Sequence, residues 1–216
     1  MNQSLQMSAD DPRLAPAIFT LRETAAYLNV PNSMVHWWGR PPCAKHPLIT
    51  CFPAHGRQAT VPFIGFAEAF VLSSFRKAGV PLQRIRPAVE VLSEEIGVEH
   101  ALASKRLYTD GAEVLFDYAS KTGEWEVMDL VVVRTKQPQF LGVVKGYLKR
   151  IHYGGDGWAD SVRLPTYTQA KVVVDPRVAY GLPLLIQGGA RVEDLVDRFQ
   201  TGGLRQRDRR RLQRPG

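Results

Sequence analysis

Apolar positions in the first half of the chain recur at helical spacing and stop where the backbone must turn. Leu21, Ala25 and Leu28 share one face of a helix that opens at Thr20. Thr20 and Glu23 have the spacing of a capping box, in which hydroxyl and carboxylate each serve the other residue's backbone amide. Asn29-Val30-Pro31 breaks this helix, with Val30 placed to plug the angle to the next. Asn32 or Ser33 can cap a second helix carrying Met34, Val35, Trp37 and Trp38, and Pro41-Pro42 ends it. Adjacent tryptophans cannot both face outwards, so at least one belongs to the core. Two apolar runs, Pro47–Phe52 and Ala59–Phe63, flank the polar loop Pro53–Gln58, which predicts a β-hairpin with Arg57 at an exposed tip. A third helix is predicted from Gly65 to Lys77, burying Phe66, Ala69, Phe70 and Phe75. A fourth runs from Pro81 to Ile96, with Leu82, Ile85, Val89 and Leu92 at helical spacing.

The second half reads differently. Val114–Tyr118, Glu126–Arg134, Tyr147–Tyr153 and Val172–Val174 have the composition of strands, and Gly154–Gly157 is a turn before Trp158. These predict a small antiparallel sheet over residues 98–170. Beyond it, a short strand enters Asp175-Pro176, and a second strand covers Tyr180–Ile186. A glycine turn at Gln187–Gly189 then leads to a helix over Val192–Phe199, with Leu195, Val196 and Phe199 as its apolar stripe.

Composition sets limits. The 216 residues, 44% apolar, suffice for one large or two small cores. No run of about 18 apolar residues exists, so no membrane span is expected. Residues 1–17 lack a basic-then-apolar pattern and read as a loose leader. Two cysteines without an export signal suit a reducing cytoplasm and no structural disulfide. The net charge of +7 is mostly local: Arg205, Arg207, Arg209, Arg210, Arg211 and Arg214 against Asp208 place +5 in the tail 204–216. That leaves about +2 elsewhere, so nucleic-acid binding must be argued from the two-helix pattern, not the pI.

Two short helices joined by a tight turn form the helix-turn-helix, whose second helix enters the major groove. Arg22, Asn32, Ser33, His36, Arg40 and Lys45, with Arg57 on the hairpin, are the candidate DNA contacts. Cys43, His46, Cys51 and His55 are zinc-compatible residue types, but their spacing matches no familiar finger and two would sit in hairpin strands. Gly154-Gly-Asp-Gly157 lacks the Lys-Ser/Thr of a phosphate loop. No nucleophile has a supporting base, the carboxylates are scattered, and His100 and His152 read as surface or strand residues. No enzyme activity, metal or cofactor is expected.

Residues 19–97 resemble the MerR-like winged helix-turn-helix, and Phe75–Arg86 is similar to that family's junction between its third and fourth helices. The resemblance implies a homodimer on a pseudo-palindromic operator, with Pro81–Ile96 and the strand Val131–Val133 as contact surfaces. The long coiled-coil helix and C-terminal metal-binding cysteines of the ligand-sensing members are absent. Residues 170–203 resemble the small C-terminal domain of VapB-type antitoxins. That implies a VapC-like partner, a PIN-fold ribonuclease with carboxylates around magnesium. Leu195, Phe199, Arg205, Arg207, Arg209, Arg210 and Arg211 would then be the toxin-binding residues, arginine being suited to fork onto carboxylates. Such domains usually continue into further short helices, whereas this chain ends in the basic tail. The expected fold is therefore α+β: a leader (1–17), a MerR-like winged helix-turn-helix (18–97), a small antiparallel β-sheet region (98–170), a short strand-helix segment (171–203) and a basic tail (204–216). The expected function is a cytoplasmic, DNA-binding antitoxin that autoregulates its operon. The alternative is a stand-alone MerR-like regulator whose C-terminal part senses a small molecule.

Overall fold

The computed structural model describes residues 7–8, 10–40, 47–54, 56, 58–79, 86, 89–90, 93–94, 99–107 and 142–201. The first strand, β1 (Ala17–Phe19), runs straight into α1 (Leu21–Leu28). The capping box at its start is formed: the Glu23 amide donates to Thr20 Oγ1 at 3.1 Å and the Thr20 amide to Glu23 Oε2 at 2.8 Å. Asn29 closes α1 in the left-handed conformation with φ 52°, a state asparagine tolerates better than most residues. The next helix is α2 (Asn32–Gly39). Pro31 is its N-cap and no side chain caps it, so the expected capping by Asn32 or Ser33 does not occur. They lie one and two steps past the cap, inside the first turn.

The hairpin expected around residues 53–58 is also rearranged. Phe52 N–H donates to the Thr60 carbonyl at 2.8 Å, which brings the two arms together. The strand on the far side, β2 (Val61–Pro62), pairs antiparallel with β1 instead. The reason is local. Fully buried Val61 needs a neighbour, Thr60 N–H already donates to the Phe19 carbonyl, and Pro62 ends the strand by capping the next helix. That helix, α3 (Phe63–Lys77), starts two residues before the predicted Gly65, and 13 of its 15 residues are buried. It is the axis of the core, sharing one apolar cluster with Phe19, Leu28, Val35 and Trp38 and with Leu102, Val144 and Val162. Of the predicted fourth helix only Arg86, Val89, Glu90, Ser93 and Glu94 are described, all helical, with Arg86 and Val89 buried. The expected strands at 114–118 and 126–134 lie outside the described residues.

Residues 142–148 are helical, not the start of a strand. Val144 and Leu148 share the face turned to the core, and the Tyr147 ring lies 5.4 Å from that of Phe70. The strand begins only at Ile151. From there β3 (Ile151–Tyr153), β4 (Ala159–Arg163), β5 (Val172–Val174) and β6 (Leu184–Leu185) form one antiparallel sheet in sequence order. The expected division at residue 170 falls inside this sheet. The strand predicted over 180–186 is split, because Ala179–Gly181 forms a tight turn before β6. The last helix, α4 (Val192–Gln200), packs along the edge with no fully buried residue.

Part of the leader is tied down. Arg13, itself buried, binds Asp11 at 2.6 Å and Asp160 at 3.2 Å, and pairs with Asp156 as well. Arg177 extends the cluster to Asp160 and Asp175, both at 3.1 Å. The Arg13 guanidinium outweighs partial burial and holds the Asp11 and Asp156 carboxyls below the ordinary 3.8. The segment from Asp11 is thereby fastened to the β3–β4 turn.

Close approach of the hairpin arm to α3 gives a test. A β-carbon at Gly65 would collide with the Thr50 carbonyl oxygen and crowd Val61. Gly65→Ala should destabilise the fold by about 1–3 kcal/mol, as overpacking against backbone does. Urea titration should show a lower midpoint at unchanged slope.

Candidate nucleic-acid interface and docking face

α2 has two distinct sides. Val35, Trp38 and Gly39 are buried, while Asn32, Ser33, His36 and Arg40 are exposed and fall on one helical face. Trp38 lies in the core. Trp37, half-buried, carries the Arg86 guanidinium over its ring at 5.0 Å, so neither tryptophan is left to face a ligand. Gly39 is equally committed, since a β-carbon there would meet Cys51 Sγ at 2.8 Å and Leu21 Cδ2 at 3.0 Å. Arg22 is exposed on α1. Lys45 and Arg57 lie outside the described residues, as do Arg205, Arg207, Arg209, Arg210 and Arg211. Of the candidate zinc run, Cys43, His46 and His55 are likewise outside. Cys51 is half-buried, with its thiol pushed up to about 12 by burial and by Glu68, against an opposing pull from Arg40. Among the described residues no cluster of three or more His, Cys, Asp or Glu is placed to hold a metal.

Behind this face sits a polar node that the sequence pattern did not reveal. Glu68, in mid α3, is buried, and its Oε2 accepts from Thr50 N–H at 2.6 Å. Its Oε1 lies 2.9 Å from His100 Nδ1, and Thr50 Oγ1 is 3.0 Å from the same nitrogen. His100 is therefore no surface or strand residue. It sits in the left-handed conformation at φ 55°, ahead of the short 3-10 turn Ala101–Ala103, with the Trp158 ring 6.3 Å away. Beside the node is a cleft of about 220 Å³ whose lining includes Leu48, Thr50, Val89, Ser93 and Leu102. His152, by contrast, is an exposed strand residue as expected.

Contacts across the chain join the helix-turn-helix to the sheet. Thr166 Oγ1 donates to the Tyr27 carbonyl at 3.2 Å. Lys77 Nζ donates to the Leu28 carbonyl at 3.1 Å while lying 5.0 Å over the Tyr147 ring. Gly181 rests directly against Ile18 of β1. On the far side is an apolar surface. Val192, Leu195, Val196 and Phe199 lie along one stripe of α4; the first two rest partly on the core, whereas Val196 and Phe199 are 45% and 62% exposed.

Residues 17–89 match the family described as "Putative DNA-binding HTH domain". A relative from Mycobacterium tuberculosis named "Putative antitoxin VapB45" is 40% identical, over 93% of this chain and 88% of its own length. The chain belongs to the VapB45-like antitoxin family. The crystal structure of Rv2018 from Mycobacterium tuberculosis shares its fold, with a TM-score of 0.72 at 36% identity, covering 89% of this chain and 90% of that one. The matched helix-turn-helix segment coincides with the block from β1 through α3 to Val89. The family thus joins an N-terminal helix-turn-helix to antiparallel sheets in a mixed helix and sheet fold. No helix among the described residues is long and apolar enough to cross a membrane.

The node makes stability depend on pH. Burial opposes charging of His100, but the hydrogen bond and charge of Glu68, with Glu99, prevail and hold the imidazole above its ordinary 6.5. A folded pKa above the unfolded one stabilises fully below the unfolded value, and that gain is lost as pH rises through the folded pKa. The urea midpoint should therefore fall as pH rises above the ordinary 6.5 of histidine, and Glu68→Gln should flatten that part of the profile.

Proposed function

We propose that this chain binds the operator of its own operon through α2 and neutralises a VapC-like PIN-domain ribonuclease in the cytoplasm. The observation that carries the DNA half is the sidedness of α2. Its apolar side is sealed into the core, while Asn32, Ser33, His36 and Arg40 are exposed on the other side. Asn32, Ser33, His36 and Arg40 would meet base edges and phosphates, with Arg22 and the hairpin Arg57 positioning the duplex. A MerR-like homodimer would repeat this face at the second half-site. Val89 is already covered by its own chain, so within Pro81–Ile96 it adds nothing to the dimer contact.

On the toxin side, the support is the uncovered end of α4 together with the basic tail. Leu195 and Phe199 offer an apolar edge to a groove. Residues 204–216 then carry six arginines against one aspartate. A magnesium-dependent ribonuclease presents converging carboxylates, and Arg205, Arg207, Arg209, Arg210 and Arg211 are suited to fork onto them. The cleft beside Glu68 favours a second reading, a free-standing regulator that senses a small molecule. Its polar groups are mutually satisfied and its volume is small, so this reading ranks second.

Replacing His36 and Arg40 together by Ala should weaken operator binding by about 1–3 kcal/mol per lost contact. Titration at fixed salt measures this, and unchanged affinity would remove α2 from the interface. Deleting residues 204–216 separates the roles of the tail. Lost inhibition of the ribonuclease with the operator complex intact fits arginines at the active site. Lost DNA affinity alone assigns them to phosphates. No change in either places inhibition in residues 172–199.

A further inference from the structure

Five of the seven large apolar side chains most exposed among the described residues, Val178, Tyr180, Ile186, Val196 and Phe199, fall within one short stretch of the chain. Scattered exposure is ordinary, but concentration on one segment marks a surface meant to be covered. Tyr180 stands out within it. Its side chain is 89% exposed, and its backbone is left-handed at φ 56° and ψ 28°. Ala179 before it and Gly181 after it are left-handed too, at φ 52° and 77°. A β-carbon disfavours this conformation, which is why glycine usually occupies it.

Packing accounts for only one of the three residues. Gly181 lies against Ile18, where a β-carbon would collide. No comparable contact asks for a large side chain at 180. The ring packs on almost nothing, and the nearby Arg191 is engaged by Asp194 at 3.0 Å. An aromatic residue thus stands where glycine would fold more easily and where no internal contact compensates. Strain kept at an exposed position points to a task outside the fold.

We propose that Tyr180 is an anchor for the toxin, its ring entering an apolar pocket of the ribonuclease beside the groove that takes α4. This rests on the toxin reading above and extends it from the helix and tail to a preformed turn. The surroundings favour a protein over nucleic acid: Val178, Ile186, Val196 and Phe199 expose apolar surface, Arg191 is engaged by Asp194, and on α4 Glu193, Asp194 and Asp197 outnumber Arg198, which disfavours phosphate. The course of the chain favours this protein. Helix α4 leads into a segment with six arginines against one aspartate, so the partner must combine an apolar pocket with an acidic site close by. Tyrosine suits such a pocket because it brings a large rigid apolar body and a polar tip. The turn is formed before binding, so little ordering accompanies docking.

The test uses full-length Tyr180→Gly and Tyr180→Phe, titrated calorimetrically against the purified PIN-domain protein encoded beside this chain. Tyr180→Gly should keep or raise Tm, leave operator affinity unchanged and weaken toxin binding at least tenfold; Tyr180→Phe should fall between it and wild type. Unchanged toxin affinity overturns the proposal. A lowered Tm with loss of both partners also overturns it, by showing that the ring serves the fold. If sedimentation shows that Tyr180→Gly breaks a dimer while toxin affinity is kept, the occupant is a second copy and the proposal fails. If wild type binds operator DNA but not the PIN-domain protein, the toxin reading fails first and this proposal with it.

Discussion

A carboxylate buried in the middle of a helix that is itself buried constrains the rest of this protein. Glu68 is almost wholly withdrawn from water in α3, and a buried carboxylate without partners is costly to a domain of this size. Its two oxygens are met by groups that arrive from elsewhere in the chain. The Thr50 amide comes from the hairpin arm, and His100 comes from the segment that leads towards the sheet. Satisfying Glu68 therefore sets where the arm lies. The arm in turn holds the end of α2, because Leu48 N–H donates to the Trp38 carbonyl at 2.8 Å. The orientation of the exposed α2 face thus depends on an interaction behind it that no DNA would touch.

The same economy joins the two ends of the molecule. Arg13 gathers carboxylates from the leader and from the β3–β4 turn, Lys77 joins α3 to the end of α1 and to Tyr147, and Gly181 lies on Ile18. None of these is a large contribution alone, since partly exposed ion pairs each add little. Together they leave no free hinge between the helix-turn-helix and the sheet among the described residues. A force applied at the Ala179–Gly181 turn reaches β1 through one side chain, and β1 pairs with the strand that opens α3. The exposed face around residues 179–181 and helix α2 therefore share a frame.

How far an element could be read from the sequence depends on the range of the interactions that form it. The capping box at Thr20 and Glu23, the turn at Asn29–Pro31, the ends of α2 and α3 and the C-terminal helix depend on neighbours a few residues apart, and such signals are written locally. The pairing of β1 with β2 is not local: Ala17 meets Pro62 across more than forty positions, so the second arm of the hairpin looked like the partner of the first. The helix at 142–148 was hidden by its glycines and by a tyrosine-rich run that suits strands. His100 carried no signal, because a lone histidine becomes informative only when Glu68 and Thr50 are seen around it. The candidate DNA residues on α2 were legible because exposure there is set directly by helical periodicity. Tyr180 was not, because its meaning lies in a backbone conformation and an exposure that no pattern of residue types encodes.

Most of the described residues proposed for function stand at exposed positions. Asn32 and Ser33 are good N-cap residues, yet Pro31 occupies the cap, and their side chains stand exposed in the first turn. Val192 and Leu195 seat α4, but the same stripe continues through Val196 and Phe199, which stay exposed. By contrast, the buried polar residues of α3 find partners within the chain: Ser73 and Ser74 donate back to the Phe70 and Val71 carbonyls at 2.7 Å and 2.6 Å, and Glu68 has its two partners. A sequence under selection for stability alone would place a capping side chain at 31, a glycine at 180 and a polar residue at 199, each a small and available gain. That all three are forgone at solvent-facing positions is what the proposed binding roles would account for.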